Sequence, residues 1–261
     1  MFAQLWTHRV MLIGLVRRDL RARYVGSLLG MFWTILQPLL LFAVYMFVFS
    51  TILQVRFTSE DGSGGFAFYL LAGLLPWLGF QEGITKAATA IIDNAGLVKS
   101  MRFPAEVLVA SSIISSAITF LLSLGVLLVA LGIMGRMPWA ILPLLPIVIC
   151  IQTLLALGLG LITASFQTVL RDTLPVLQMV FTVWFYVTPI IYPLSYVPAQ
   201  FAALCQWNPF TPFVSAYRAI LLEGKVPAVI DLGSSCGWMA IALLLGGWLF
   251  SRIESSFADL L

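Results

Sequence analysis

Six long intervals of the chain contain no Asp, Glu, Lys or Arg: residues 24–55, 62–81, 107–135, 137–170, 173–217 and 232–251. Each reaches the roughly 20 residues that a helix needs to cross about 30 Å of hydrocarbon. A water-soluble fold cannot shelter so much uncharged, apolar chain. With 61% hydrophobic residues, 10% charged residues and a mean hydropathy of +1.03, the composition is that of a protein embedded in a bilayer. The segments between the intervals are too short for a separate soluble catalytic domain. Runs such as Leu39 to Phe49 and Phe120 to Leu131 do not alternate in polarity as the strands of a membrane barrel do. The expected fold is therefore an all-α integral membrane protein, because a helix satisfies its own backbone inside lipid.

One span per interval predicts helices at about 28–53, 66–90, 106–133, 140–165, 174–194 and 232–251. Six spans return both termini to one side. That side collects Arg9, Arg17, Arg18, Arg21, Arg23, Lys86, Lys99, Arg102, Arg171 and Arg252, against Arg56, Arg136, Arg218 and Lys225 on the other, so both termini are expected in the cytoplasm. Ahead of the six-helix transmembrane domain, 28–261, residues 1–27 read as an amphipathic interface helix. Leu12, Val16, Leu20 and Tyr24 recur every four residues beside Arg17, Arg18 and Arg21, and Asp19 precedes Arg23 by one turn in the order that favours an ion pair. A plain positive anchor for the first span is the alternative. The start lacks a basic leader and a small-residue cleavage site, so no removed signal peptide is expected. The interval 173–217 is broken by Pro189, Pro193, Pro198, Pro209 and Pro212. It reads as one span ending near Tyr192, then short re-entrant helices over about 195–225, with Trp207, Asn208, Tyr217 and Arg218 interfacial. An external loop with an aromatic belt is the competing reading.

Most catalytic and binding chemistries find no residues here. The phosphate-cradling pattern Gly-x-x-x-x-Gly-Lys-Ser/Thr is absent, since Gly224-Lys225 is followed by Val226. Gly62 to Gly65 reads as a flexible external turn. Cys150, Cys205, Cys236 and the single His8 lack metal-ligand spacing, so no metal site is expected, and three apolar thiols are favoured over a Cys205–Cys236 pair. Acidic residues cluster at span ends. Only Glu82 approaches the interior, with Lys86 one turn later to neutralise it, a pattern that argues against ion coupling. Gly26 with Gly30, and Gly158 with Gly160, read as sites of close helix packing. What remains is an aromatic, weakly polar lining. Trp33, Gln37, Leu41 and Tyr45 share one face of the first span; Gln178, Thr182, Phe185 and Pro189 do so on the fifth, with Tyr186 and Tyr192 adjacent. Such faces stack on sugar rings, although packing and interfacial aromatics give the same pattern.

These residues line up with a family. Arg18-Asp19-Leu20, Arg23-Tyr24, Gly26-Ser27, Leu29-Gly30, Trp33 and Gln37-Pro38-Leu39 resemble the opening of type-2 ABC exporter permeases of the polysaccharide group, which carry O-antigen, capsule or teichoic acid. The resemblance continues in order through Asn94 to Lys99, Arg102-Phe103-Pro104, Arg171-Asp172, Thr188-Pro189-Ile190, Tyr192-Pro193, Trp207-Asn208-Pro209 and Tyr217-Arg218. It implies a homodimer of permeases in the inner membrane, each bound to a separate nucleotide-binding subunit that holds ATP and magnesium, while this chain binds no cofactor and is no enzyme. It also implies that Asn94, Lys99 and Arg102 lie on the loop that couples to the ATPase. Arg17, Arg18 and Arg21 then face the ATPase or the pyrophosphate of a lipid-linked polysaccharide. Trp33, Gln37, Tyr45, Tyr186 and Tyr192 would line the path. A permease of the same class for a drug or small lipid, and an ATP-independent carrier, are the alternatives.

Overall fold

The computed structural model describes residues 2–23, 32–52, 65–100, 104–254 and 257. Tyr24, the Gly26 and Gly30 pair, Arg56, the glycine turn at 62–64 and Arg102 lie outside them. The described residues are predominantly helical and contain no strand. In order they form α1 (Phe2–Thr7), α2 (Arg9–Ala22), α3 (Trp33–Tyr45), α4 (Gly65–Asp93), α5 (Ala95–Ser100), α6 (Ala105–Ile133), α7 (Leu145–Val169), α8 (Thr173–Val187), α9 (Ala199–Gln206), α10 (Thr211–Arg218) and α11 (Val229–Ile253). A wider π-turn, Met46–Ile52, continues α3, and a second, Ala219–Glu223, continues α10.

Among the described residues, three segments are long and apolar enough to cross a membrane: Ala105–Ile133, Val229–Ile253, and Leu142–Val169, in which a short 3-10 turn leads into α7. This is a multi-pass membrane architecture. Shorter apolar helices occur at Leu36–Phe49 and Thr173–Val187. The expected spans at 66–90, 106–133, 140–165 and 232–251 match α4, α6, α7 and α11 to within a few residues. The expected fifth span is shorter than the sequence reading, which ran it to 194. It stops at Val187, where Thr188 is extended (ψ 132°). Thr188 precedes Pro189, and a residue before proline is driven out of the helical region by the ring.

The bundle is organised around α4, which packs on α6 and α7, while α11 packs on α7. Trp77, Phe80, Phe181 and Phe210 are nearly fully buried and meet edge to face or tilted, with Trp77 and Phe210 centroids 5.1 Å apart and Phe80 and Phe210 4.7 Å apart. Edge-to-face contact sets the positive ring edge on a negative face, which adds to the area buried. The α7–α11 seam is tighter. A Cβ on Gly158 would lie 2.5 Å from the Ala242 carbonyl carbon, and one on Gly246 would strike the Gly158 carbonyl, so backbone meets backbone there. Gly158 thus does the packing work expected of it.

Candidate functional site

Helix α2 is held to the bundle by two kinds of contact. Its Leu15 and Val16 are buried, and Leu15 packs with Ala90, Val107 and Leu108 at the neighbouring ends of α4 and α6. The apolar stripe read from the sequence therefore faces protein. A second apolar set, Trp6, Val10 and Ile13, is exposed. Beside the packed face lies a charge network. Arg23 Nη1 is 2.8 Å from Glu82, Lys86 Nζ is 3.1 Å from the same carboxylate and 3.7 Å from Asp19, and Arg23 Nε is 3.8 Å from Asp19. The Ser115 hydroxyl donates to Asp19, and Arg23 Nη2 reaches the Ser115 and Ser116 hydroxyls at 3.5 Å. Lys86 neutralises Glu82 as its spacing predicts. Arg23, which sequence reasoning paired only with Asp19, bridges to Glu82 on another helix.

The arginines of α2 diverge. Arg18 donates to Asn94 Oδ1 at 2.6 Å, while Asn94 Nδ2 donates to the Ala90 carbonyl at 2.8 Å. Arg17 and Arg21 are exposed and make no hydrogen bond or ion pair among the described residues. The structure thus brings together two residues assigned to different tasks, Arg18 and Asn94. Lys99 stands exposed on α5.

A cavity of about 510 Å³ opens beside this network between α3, α4 and α6. Arg23, Glu82, Thr119 and Gln37 supply its polar wall, and Leu41, Val44 and Leu75 part of its apolar wall. Of the α3 residues expected on a path, Gln37 faces this cavity. Trp33 is exposed, and Tyr45 stacks on Phe49 with centroids 5.9 Å apart.

A second cavity, about 480 Å³, is lined by Tyr186 and Tyr192 together with Tyr196, Phe201 and Leu204. Tyr192 donates its hydroxyl to the Tyr186 carbonyl at 2.7 Å, which folds the turn after α8 back on the helix. Tyr196 and Phe201 were missed; the only sequence signal was their place between prolines. The stripe expected on α8 is split: Gln178 and Thr182 are exposed beside Val176, Met179, Val180, Val183 and Tyr186, whereas Phe185 packs against Trp77 (centroids 5.9 Å) and Pro189, beyond the helix end, is buried. Packing on α4 draws Phe185 inward. Helix α3 packs mainly on α6 and also touches α4, while α8 packs on α4 and α7.

The segment after α8 also differs from an interfacial reading. Trp207 is exposed, but Asn208, Tyr217 and Arg218 are buried. Asn208 accepts from Trp184 Nε1 at 2.7 Å and from the Phe210 amide at 2.9 Å, and donates to Thr188 Oγ1 at 2.8 Å, tying the loop to the end of α8. Tyr217 donates to Gln152 Oε1 at 2.8 Å, and Gln152 Nε2 donates to the Pro76 carbonyl at 3.0 Å, so α10 reaches well inside α4 and α7. Cys150, Cys205 and Cys236 are free thiols.

Residues 12–222 match the ABC-2 type transporter family. The chain is 33% identical over 258 residues to the O-antigen export system permease protein RfbA of Myxococcus xanthus, covering 98% of this chain and 97% of the relative. It is 26% identical over 257 residues to a protein of the same name from Klebsiella pneumoniae, at 96% and 95% coverage. It is 24% identical over 251 residues to the polysialic acid transport protein KpsM of Escherichia coli, at 95% of each chain. With a family match over most of its length and relatives aligned almost end to end, the chain belongs to the ABC-2 type transporter family.

Proposed function

We propose that the chain is the permease subunit of an ATP-driven exporter that moves a lipid-linked polysaccharide across the bacterial inner membrane. The observation that carries this reading is the end-to-end similarity to export permeases named for O-antigen and polysialic acid, on a chain whose fifth apolar helix leads into a tyrosine-walled cavity. Two copies form the conduit, their α3 and α8 helices facing one another. The exposed apolar face of α8, lacking a partner within one copy, supports this pairing. Each copy has six spans with both termini cytoplasmic. A separate nucleotide-binding subunit, bound through α5 and the segment containing Arg102, supplies ATP, magnesium and the hydrolytic step.

The lipid-linked glycan approaches from the cytoplasmic leaflet beside α2. Arg17 and Arg21, exposed and unengaged, offer guanidinium forks to its pyrophosphate, whereas Arg18 is committed to Asn94 and transmits motion between α2 and the α4–α5 corner. The sugar chain then passes aromatic side chains. Stacking on Trp33, Tyr45, Tyr186 and Tyr192 holds each ring weakly enough to slide. Depth at α10 supports a re-entrant segment, since non-helical backbone at that depth needs protein around it.

Replacing Trp33 and Tyr45, or Tyr186 and Tyr192, by Ala tests the path. Both double variants should assemble with the ATPase and lower surface polysaccharide several-fold. Wild-type polysaccharide levels from both would refute the lining.

A further inference from the structure

A third cavity, about 450 Å³, lies at the end of the bundle away from α2, between the start of α4, the end of α6, the turn at Pro193–Tyr196 and the π-turn after α10. Tyr69, Arg136, Ser195, Tyr196, Arg218 and Glu223 stand on its wall. The α2 network does not reach it, and it shares Tyr196 with the tyrosine-walled cavity.

Its electrostatics are one-sided. Arg218 is 9% exposed, stacks on the Tyr69 ring 3.5 Å from its centroid, and donates to the carbonyls of Pro189 at 2.8 Å, Ile190 at 2.6 Å and Tyr69 at 3.4 Å. Carbonyls and a π face satisfy its N–H groups in part, and a second N–H remains on each Nη. No carboxylate forms an ion pair with it among the described residues. Glu223, the acid on the wall, is instead 3.4 Å from Lys225. Arg136 is held in place by its backbone: Gly135 takes a left-handed conformation (φ 69°) and the Arg136 amide donates to the Leu131 carbonyl at 2.9 Å, a Schellman closure of α6. Its side chain makes no hydrogen bond or ion pair among the described residues. Two guanidiniums without a carboxylate partner among the described residues thus line one cavity; Arg136 is exposed, while Arg218 is the buried cation, and burying a cation unpaired is costly. The cavity sits where α4 begins and α6 ends, the level at which a span leaves hydrocarbon for the phosphate layer.

We propose that this cavity binds a phosphate-class anion between Arg136 and Arg218. A guanidinium pair suits phosphate oxygens, and the hydroxyls of Ser195 and Tyr196 lie on the same wall. The anion is the headgroup of an anionic lipid or a free phosphate compound. The site is independent of the exported cargo.

Native mass spectrometry of the full chain, delipidated in detergent, tests this with three probes: dioleoylphosphatidylglycerol, dioleoylphosphatidylcholine and inorganic pyrophosphate. Wild type should retain phosphatidylglycerol or pyrophosphate about tenfold more strongly than Arg136→Gln, the scale of one lost charge-assisted contact. Arg136→Lys should restore part of the binding. Arg252→Gln, which removes a charge stacked on Trp248 elsewhere, should bind as wild type. Loss confined to phosphatidylglycerol assigns a lipid headgroup; loss confined to pyrophosphate assigns a free phosphate. Arg136 is exposed and has no partner among the described residues, so Arg136→Gln should melt as wild type. Equal retention of both anions by wild type and Arg136→Gln overturns the proposal, as does equal retention of the two lipids with no pyrophosphate bound.

Discussion

Arg23 Nη1 lies 2.8 Å from Glu82, Lys86 approaches the same carboxylate at 3.1 Å, and Asp19 touches both cations, so a chain with few charges gathers four of them into one partly shielded cluster. Exposed pairs contribute little because water screens them, but Arg23 is only 14% exposed and shares its partners. A double-mutant cycle with Arg23→Gln and Glu82→Gln should therefore show coupling of about 1 kcal/mol, seen as a double variant that loses less thermal stability than the two single losses summed. Strict additivity would remove the network from the description of how α2 is held. Tyr217 presents a simpler case. Tyr217→Phe leaves Gln152 Oε1 buried without its donor, at a cost of about 1–3 kcal/mol in unfolding experiments. Glu82 with Lys86 was legible in the sequence because both sit one turn apart on one helix. Arg23, 59 positions before Glu82 by their residue numbers, was not, since spacing along a chain carries no information on which helices later cross. Tyr217 misled for a related reason: an aromatic next to an arginine among prolines looks interfacial until its hydroxyl partner is known.

At the scale of elements, prolines and charge-free intervals located the helices well. The prolines that broke up 173–217 also marked the turns between α8, α9 and α10. What they could not give was how α8 packs: Phe181, Trp184 and Phe185 turn in toward Trp77 and Phe80, while Tyr186 stays exposed. Glycine spacing did better at α7. The Gly158–Gly246 approach leaves no room for a methyl group, so Gly158→Ala should destabilise the fold by about 1–3 kcal/mol or abolish assembly. Gly125 on α6 has nothing within 4 Å of a Cβ, so Gly125→Ala should be neutral or stabilising, by up to about 1 kcal/mol from helix propensity. Thermal unfolding of both variants in detergent distinguishes a backbone contact from mere helix preference; equal effects would contradict the seam.

At the scale of the molecule, the charge-free intervals specified a membrane bundle, and the sequence carries no Gly-x-x-x-x-Gly-Lys-Ser/Thr loop. Helix α3 leans mainly on α6 and α8 on α4 and α7, so the sequence could suggest lining residues but not which of them face one another. The most direct measurement reconstitutes the permease with its ATPase in proteoliposomes and follows a labelled lipid-linked polysaccharide into the compartment opposite the ATPase, where a glycosidase can cut it. The predicted result is transfer that requires ATP, both subunits and intact Tyr186 and Tyr192. Transfer by the permease alone without ATP, or none of this cargo while a small lipid or drug crosses, would contradict the assignment as a polysaccharide exporter.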